Sequence, residues 1–146
     1  MAEPTTTAIE AKVALKAGLE ALAGLTGVQI SWSWPTKPQA EMIVLGNIDD
    51  SDQEPGSLGN RTRDESYSIA VIVNVLKKAS AQVVATRAVV LAGEVKRYLD
   101  ANPSMGVTRI KWAGVTAQPI REAISGDGRM AEIPLRVSVE ARLPRS

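Results

Sequence analysis

The charged residues that could support binding or catalysis fall in two polar stretches of the sequence. The first stretch contains four carboxylates: Asp49, Asp50, Asp52 and Glu54. Oxygen-rich loops of this kind bind Ca²⁺, but with Asp50 as first ligand, Pro55 stands where the turn glycine belongs and Arg61 where the bidentate glutamate belongs. The pattern therefore favours a solvated acidic loop, or an acidic tip that faces a partner or a channel and discourages DNA from binding.

Arginines and a second polar stretch complete the charged candidates. Arg61 and Arg63 come just before Asp64 and Glu65. Local ion pairing or a solvated strand end is one interpretation, and a salt bridge between subunits is the other. Residues 118–129 combine charges with strong turn residues, which predicts a long hairpin loop. Its candidate contact residues are Arg121, Glu122, Asp127 and Arg129. The charged residues of both stretches are the candidates for contacts with a partner or a lumen.

The residue types that most catalytic and metal chemistry needs are absent. The chain has no Cys and no His, which removes disulfides, thiolate ligands, Cys nucleophiles and the commonest general base. No carboxylate stands isolated in an apolar run, and no glycine-rich segment continues as a phosphate loop. We therefore expect a protein that is not an enzyme and that uses no cofactor or metal.

Two other classes of function remain open. A small enzyme that uses only carboxylates with Lys or Arg would need an isolated deep pocket. A nucleic-acid-binding regulator would need a contiguous basic face, whereas the formal net charge is only +1.

The three tryptophans are the remaining side chains with a possible role in binding. Trp32 and Trp34 are two residues apart on a predicted strand and point to one face, and Trp112 could join them from a later strand. Core packing is one interpretation, because the chain has no Phe and Trp is large and amphipathic. The alternative is an anchor at the centre of a protein interface.

Periodicity predicts the elements that position these residues. A helix begins near Thr7, where Thr7 and Glu10 have the spacing of a capping box, and its apolar stripe consists of Ile9, Val13, Leu15, Leu19 and Leu22. Strands follow over residues 28–34 and 41–48, and a strand over residues 65–76 is apolar on both faces, as central strands are. Ser80 is the N-cap of a second helix that ends at Asn102.

Strands over residues 108–116 and 130–143 complete the order α-β-β-β-α-β-β. Mobile loops are expected near residues 49–63 and 118–129. This order predicts an α+β fold with a mainly antiparallel sheet and two helices packed on one face. With 45% hydrophobic residues in a 146-residue chain, we expect one domain over residues 1–146. The start of the chain lacks a secretory signal and no apolar run is long enough for a membrane span, so we expect a cytosolic product without membrane contact.

Several short segments occur in an order that spans nearly the whole domain. They are Trp32-Ser33-Trp34-Pro35-Thr36, Glu41-Met42-Ile43, Leu58-Gly59-Asn60-Arg61, Glu65-Ser66-Tyr67-Ser68-Ile69, Arg87-Ala88-Val89, Glu94-Val95, Asn102-Pro103 and Val139-Glu140-Ala141-Arg142-Leu143. In their residues and in their order along the chain, these segments resemble the tail terminator proteins of long-tailed (siphovirus) bacteriophages, particularly those of actinobacteriophages.

The resemblance implies a structural virion protein of the tail or neck, assembled in the host cytoplasm. Proteins of that family form a ring, usually a hexamer, that caps the tail tube, stops its polymerisation and joins the tail to the head connector. The implied partners are other copies of the chain, the tail tube protein and the connector or stopper protein, with DNA passing non-specifically through the lumen. The alternative is another neck protein, such as a head-completion or stopper subunit.

Overall fold

Within residues 6–55 and 62–144, the part of the chain that this computed structural model describes, two helices pack on one face of a sheet. The helices are α1 (Ala8–Glu20) and α2 (Ala81–Ala101). A short 3-10 helix, Ala23–Leu25, follows α1. The strands are β1 (Gln29–Ser31), β2 (Glu41–Pro55), β3 (Thr62–Lys77), β4 (Ile110–Ala117), β5 (Arg121–Ser125) and β6 (Gly128–Pro144).

The strands are ordered β1-β2-β3-β6-β4 across the sheet, and β5 pairs with the first part of β6. β1 is parallel to β2, and the other pairs are antiparallel. β3 lies at the centre between β2 and β6, which agrees with the apolar residues on both of its faces. The α+β class, the mainly antiparallel sheet and the two helices on one face are therefore confirmed. β1 and β4 lie at opposite edges.

An aliphatic core fills the space between the sheet and the helices. Successive residues of a strand point to opposite faces, so every second residue of β3 and β6 reaches this core. From the sheet it contains Ile43, Leu45, Tyr67, Ile69, Val71, Val73, Val75, Ala131, Ile133, Leu135, Val137, Val139 and Ala141. From the helices it contains Ala8, Ala11, Leu15, Leu19, Val84, Ala88, Leu91, Val95 and Leu99. Burial of each large aliphatic side chain contributes about 1.5–3 kcal/mol before the entropy of ordering is counted.

The two helices begin in different ways. The Ser80 side chain accepts a hydrogen bond from the Val83 amide at 3.2 Å, so Ser80 caps α2 as predicted. Thr7 precedes α1, but its side chain makes no capping bond. The capping-box prediction for Thr7 and Glu10 is therefore wrong, because the Thr7 hydroxyl is engaged with the sheet instead.

The apolar stripe of α1 is also displaced from its predicted position. Ile9 and Val13 are more than half exposed, while Ala11 and Lys12 are buried with Leu15 and Leu19. The small Ala11 packs in the core, Lys12 reaches the Trp32 ring, and the β-branched residues face outward. Leu15 and Leu19 were predicted correctly.

The stretch predicted as the first mobile loop continues a strand. Residues 49–55 belong to β2 and pair with residues 63–68 of β3, after irregularities in register between Leu45 and Ile48 and between Asp49 and Asp52. The loop prediction is wrong for residues 49–55, because main-chain hydrogen bonds to the central strand hold a sequence that lacks apolar alternation. Residues 62 and 63 of that predicted loop belong to β3, and residues 56–61 lie outside the described residues.

The second predicted loop is mostly a hairpin of β5 and β6. Ser125 pairs with Gly128, so only Gly126 and Asp127 connect the two strands. Gly128 has φ +129°, and a side chain there would collide with the main chain of Lys77. A glycine is therefore required where the hairpin turns back beside the end of β3. The prediction of one long loop over residues 118–129 is corrected to a short connection followed by a two-stranded hairpin.

Candidate interaction surface

The acidic stretch lies on the face of the sheet that the helices leave open. Asp52 pairs with Ser66 and Glu54 with Asp64, and Ser66 pairs in turn with Glu140 of β6. Directly paired residues share a face, and this face is opposite to that of Tyr67 and the core. One surface depression there is lined by Asp52, Glu54, Asp64, Ser66, Lys111 and Glu140. The open face therefore concentrates carboxylates at this end of the sheet.

Arginines on the open face are paired with carboxylates across strands. Arg142 Nε lies 3.0 Å from Asp64 Oδ1, and Arg136 Nη2 lies 3.2 Å from Asp50 Oδ2. The hydrogen bond from Arg142 is the main reason that the pKa of Asp64 is below its ordinary value. Exposed pairs of this kind contribute little stability. Each pair cancels one positive and one negative charge on the open face.

The first group of sequence candidates is dispersed over the end of β2 and β3. Asp49 pairs with Ser68, and Asp50, which has φ +57°, accepts a hydrogen bond from the Ser68 hydroxyl at 3.2 Å. Arg63 donates to Gln53 Oε1 at 3.3 Å. Arg63 therefore makes a cross-strand contact with an amide. Arg61 lies outside the described residues.

The second group of candidates lies at the other end of the sheet. β5 pairs with residues 128–132 of β6, whereas the acidic stretch is nearest to residues 138–144 across β3. Arg121 approaches Glu132 at 3.9 Å, and the Asp127 amide donates to Ser125 Oγ in the turn. Glu122 and Arg129 line a cleft between the hairpin and the start of α2. The structure therefore does not bring the two charged stretches together.

The tryptophans are exposed and occupy opposite edges of the sheet. Trp32 and Trp34 follow β1 and are 37% and 55% exposed, and Trp112 of β4 is 49% exposed. The core interpretation and the grouping of Trp112 with the other two are both wrong. β1 is only three residues long, so Trp32 and Trp34 lie beyond its end. Trp112 lies flat against Gly114, where a side chain would collide with the indole.

Lys12 of α1 contacts Trp32 at the β1 edge of the sheet. Its Nζ lies 4.1 Å from the centroid of the Trp32 ring, within the range of a cation–π interaction. The lysine is 7% exposed, and burial lowers its pKa. The Lys12 ammonium therefore stabilises one face of the Trp32 ring and leaves the rest of the indole available to a partner.

Glu65 is a buried carboxylate that sequence reasoning did not identify. It is 3% exposed; its Oε1 accepts from the Thr7 amide and hydroxyl, each at 2.8 Å, and its Oε2 from Gln53 Nε2 at 3.1 Å. The Tyr67 hydroxyl donates to Thr7 Oγ1 at 2.8 Å, since the hydrogen of that oxygen goes to Glu65. Burial raises the pKa of Tyr67 to about 12. The sequence does contain a signal for its position, because Glu65 alternates with Tyr67 and Ile69 and therefore faces inward with them.

A partly buried ion pair network joins both layers at the other end of β2. Glu41 accepts from Arg87 Nε at 2.8 Å and Arg87 Nη2 at 3.1 Å, and it also accepts from Lys77 Nζ. The Arg87 hydrogen bond is the largest cause of a lowered pKa at Glu41. Because these residues belong to β2, β3 and α2, the network holds α2 on the sheet.

The structure describes residues 6–55 and 62–144. No group of three or more Asp or Glu side chains is arranged there to hold a metal ion. In the same ranges no helix is both long enough and apolar enough to cross a membrane.

The comparisons with known proteins give one informative likeness. No family model matches the sequence, and no curated protein matches it. Among solved structures, the fold is similar to that of a chain in the virion of a native gene transfer agent particle, with a TM-score of 0.62 and 18% sequence identity. The superposition covers 95% of this chain and 99% of that chain. The two chains therefore share one fold over essentially their full lengths.

Proposed function

We propose that this chain is a structural virion protein, and more narrowly the subunit of a ring that caps a tail tube, stops its polymerisation and joins the tail to the head connector. The observation that carries the proposal is the likeness in fold, end to end, to a chain of a virion particle. The short sequence segments that resemble tail terminators, and their order along the chain, support the narrower role.

Two unlike edges of the sheet suit a ring of identical subunits. A closed ring needs a head-to-tail contact between two different patches of the same chain. Trp32 lies beyond the end of β1 at one edge, and Trp112 lies on β4 at the other edge. Exposed aromatic side chains are enriched at the centres of protein contacts. In the proposed hexamer the Trp32 edge of one subunit contacts the Trp112 edge of the next.

The two charged ends of the sheet suit two different surroundings. The carboxylates of Asp49, Asp52 and Glu54 would repel the DNA phosphates, whereas Asp50 is paired with Arg136. DNA passing through a lumen would therefore not bind to this stretch. The hairpin of β5 and β6, with Arg121, Glu122, Asp127 and Arg129, would contact the tail tube or the connector. This assignment also explains why the two stretches need not lie together.

The first experiment measures the oligomeric mass of the purified chain with and without polymerising tail tube subunits, and the tube length by negative-stain microscopy. Rings that bind tube ends and fix tube length are the expected result. Rings that ignore tubes but bind a portal or adaptor would instead assign the chain to the head-completion or stopper proteins. A monomer that binds neither would contradict a neck role.

Edge variants test the ring contact separately from tube binding. Trp112→Ala and Trp32→Ala should each weaken the ring, measured as a rise of at least about tenfold in the concentration needed for assembly. Val89→Ala removes a 57% exposed apolar side chain from α2, which is not part of the sheet, and is the control. Equal effects of all three substitutions would contradict a contact between the two sheet edges.

A further inference from the structure

The geometry points to a conformational coupling through the Glu65 carboxylate. We infer that Glu65 links the docking of the start of α1 to the ordering of residues 49–55 of β2, so that the two segments open and close together. This inference concerns motion within one chain and does not depend on the proposed ring.

The two segments bind different oxygens of the same carboxylate. Thr7, immediately before α1, donates its amide and hydroxyl hydrogens to Oε1 at 2.8 Å. Gln53, within residues 49–55, donates its side-chain amide to Oε2 at 3.1 Å. Glu65 itself belongs to the central strand, which is fixed between β2 and β6. The carboxylate is therefore a shared acceptor on a rigid support.

The burial of Glu65 makes the two sets of bonds interdependent. At 3% exposure, an ionised carboxylate is costly unless hydrogen bonds replace its lost hydration. Within the described part of the chain, the neutral groups of Thr7 and Gln53 donate to Glu65. If Thr7 leaves, Oε1 loses both of its donors and the carboxylate must turn toward water. That rotation would also break the bond of Oε2 to Gln53.

Residues 49–54 are held by main-chain pairing with β3 and by exposed side-chain contacts of Asp50 and Gln53, without buried apolar side chains. Residues 49–54 are exposed, and two irregularities in register interrupt their pairing with β3. β1 pairs only with residues 42–44, so it gives this part of β2 no neighbour on its outer side. Regions with few buried apolar contacts open at low free-energy cost. A partner that binds residues 49–55 would therefore also stabilise the docked start of α1, and the reverse follows by linkage.

Amide hydrogen exchange on the full chain tests the coupling. Thr7→Val removes the hydroxyl donor and should raise exchange rates about tenfold in the first turn of α1 and equally in residues 49–55. Thr7→Ser retains the hydroxyl and is the matched control, with rates within about twofold of the parent in both segments. Residues 121–125 of β5, at the other end of the sheet, open without breaking the Thr7 bonds and should not change. Residues 91–99 of α2 report global unfolding, and their rates should rise only with the loss of global stability.

The reciprocal substitution completes the experiment. Gln53→Leu should raise exchange in the first turn of α1, although that substitution lies in β2. In a Glu65→Leu background, Thr7→Val and Gln53→Leu should each lose their effect on the distant segment. Effects of Thr7→Val and Gln53→Leu that remain local would overturn the inference and leave Glu65 as an ordinary buried hydrogen-bond acceptor. If Glu65→Leu does not fold, the two single substitutions still decide the question.

Discussion

The two halves of β2 belong to one strand but are held by different interactions. Residues 42–45 are all buried, with Ile43 and Leu45 in the core between sheet and helices. Residues 49–54 are all exposed and polar, yet they pair with the same central strand. Apolar burial fixes the first half, whereas main-chain pairing and the Glu65 carboxylate fix the second.

The first half of β2 contributes to the stability of the fold, and the second half is available for recognition. A strand half that contributes little to the core can change its charges at low cost to folding, and it can move when a partner binds. The first half provides the rigid support that such a surface needs. Substitutions in the two halves should therefore differ in size and in what they affect.

The largest effect is expected at the buried half. Leu45→Ala removes a side chain that is 0% exposed, and it should lower the free energy of unfolding by about 2–5 kcal/mol, since it loses buried area and leaves a cavity. Urea unfolding followed by circular dichroism measures this change. A loss under about 1 kcal/mol would mean that the first half of β2 is not fixed by burial.

A smaller effect is expected where the polar half is attached to α1. Thr7→Val leaves Glu65 and Tyr67 without the hydroxyl that bonds them, and it should cost about 1–3 kcal/mol. Thr26→Val is the matched control, because the Thr26 hydroxyl also makes a 2.8 Å bond but at an exposed site. Thermal unfolding of both variants makes the comparison. Equal losses of stability would show that burial of the Glu65 hydrogen bonds does not increase their contribution to the free energy of unfolding.

The same comparison explains which parts of the fold the sequence could predict. Strands β3 and β6 and helix α2 carry long apolar periodicity, and the apolar residues of their inner faces, such as Val71, Val137 and Leu91, are buried. Residues 49–55 carry no such pattern, because their partners are main-chain groups of β3, and strand pairing over a long distance leaves no local signal. The polar composition was therefore misinterpreted as a loop.

The site was less predictable than the fold for a related reason. The charges of Asp52 and Glu54 were identified, but which face they occupy depends on the register with β3 after two irregularities. Trp112 was expected beside Trp32, and only the strand order places them at opposite edges. Alternation with Tyr67 indicates the face of Glu65, but the hydrogen bond of Glu65 to Thr7 could not be predicted, because Thr7 lies far away in sequence.

Glu41 sharpens the comparison through pH, because it begins the buried half of β2. Since the folded pKa of Glu41 is lowered, mainly by Arg87, its ionised form stabilises the fold above the ordinary carboxyl pKa, and this stabilisation disappears as pH falls through the lower folded pKa. Glu41→Gln should cost about 1 kcal/mol at pH 7, since Arg87 and Lys77 are partly exposed. The difference from the parent should vanish in acid.

Unfolding titrations from pH 7 to pH 2 measure that loss. Glu20→Gln removes a carboxylate from an exposed pair with Lys16 on α1 and is the control, with little change at any pH. A Glu41→Gln cost that is constant over this range would mean that packing, and not charge, is what Glu41 contributes.

The smallest effect on stability is expected at the exposed half of β2. Asp52→Asn and Glu54→Gln keep the shape of the side chains, and each should change the free energy of unfolding by no more than about 0.5 kcal/mol. If these carboxylates face a lumen or a charged partner, the same two substitutions should alter DNA retention or tube capping in a salt-dependent way, because only exposed charge has been removed. Unchanged stability together with altered assembly would show that the two halves of β2 have different roles, one in stability and one in assembly. Unchanged assembly at every salt concentration would remove residues 49–54 from the functional surface and leave the β5–β6 hairpin and the two tryptophan edges to account for binding.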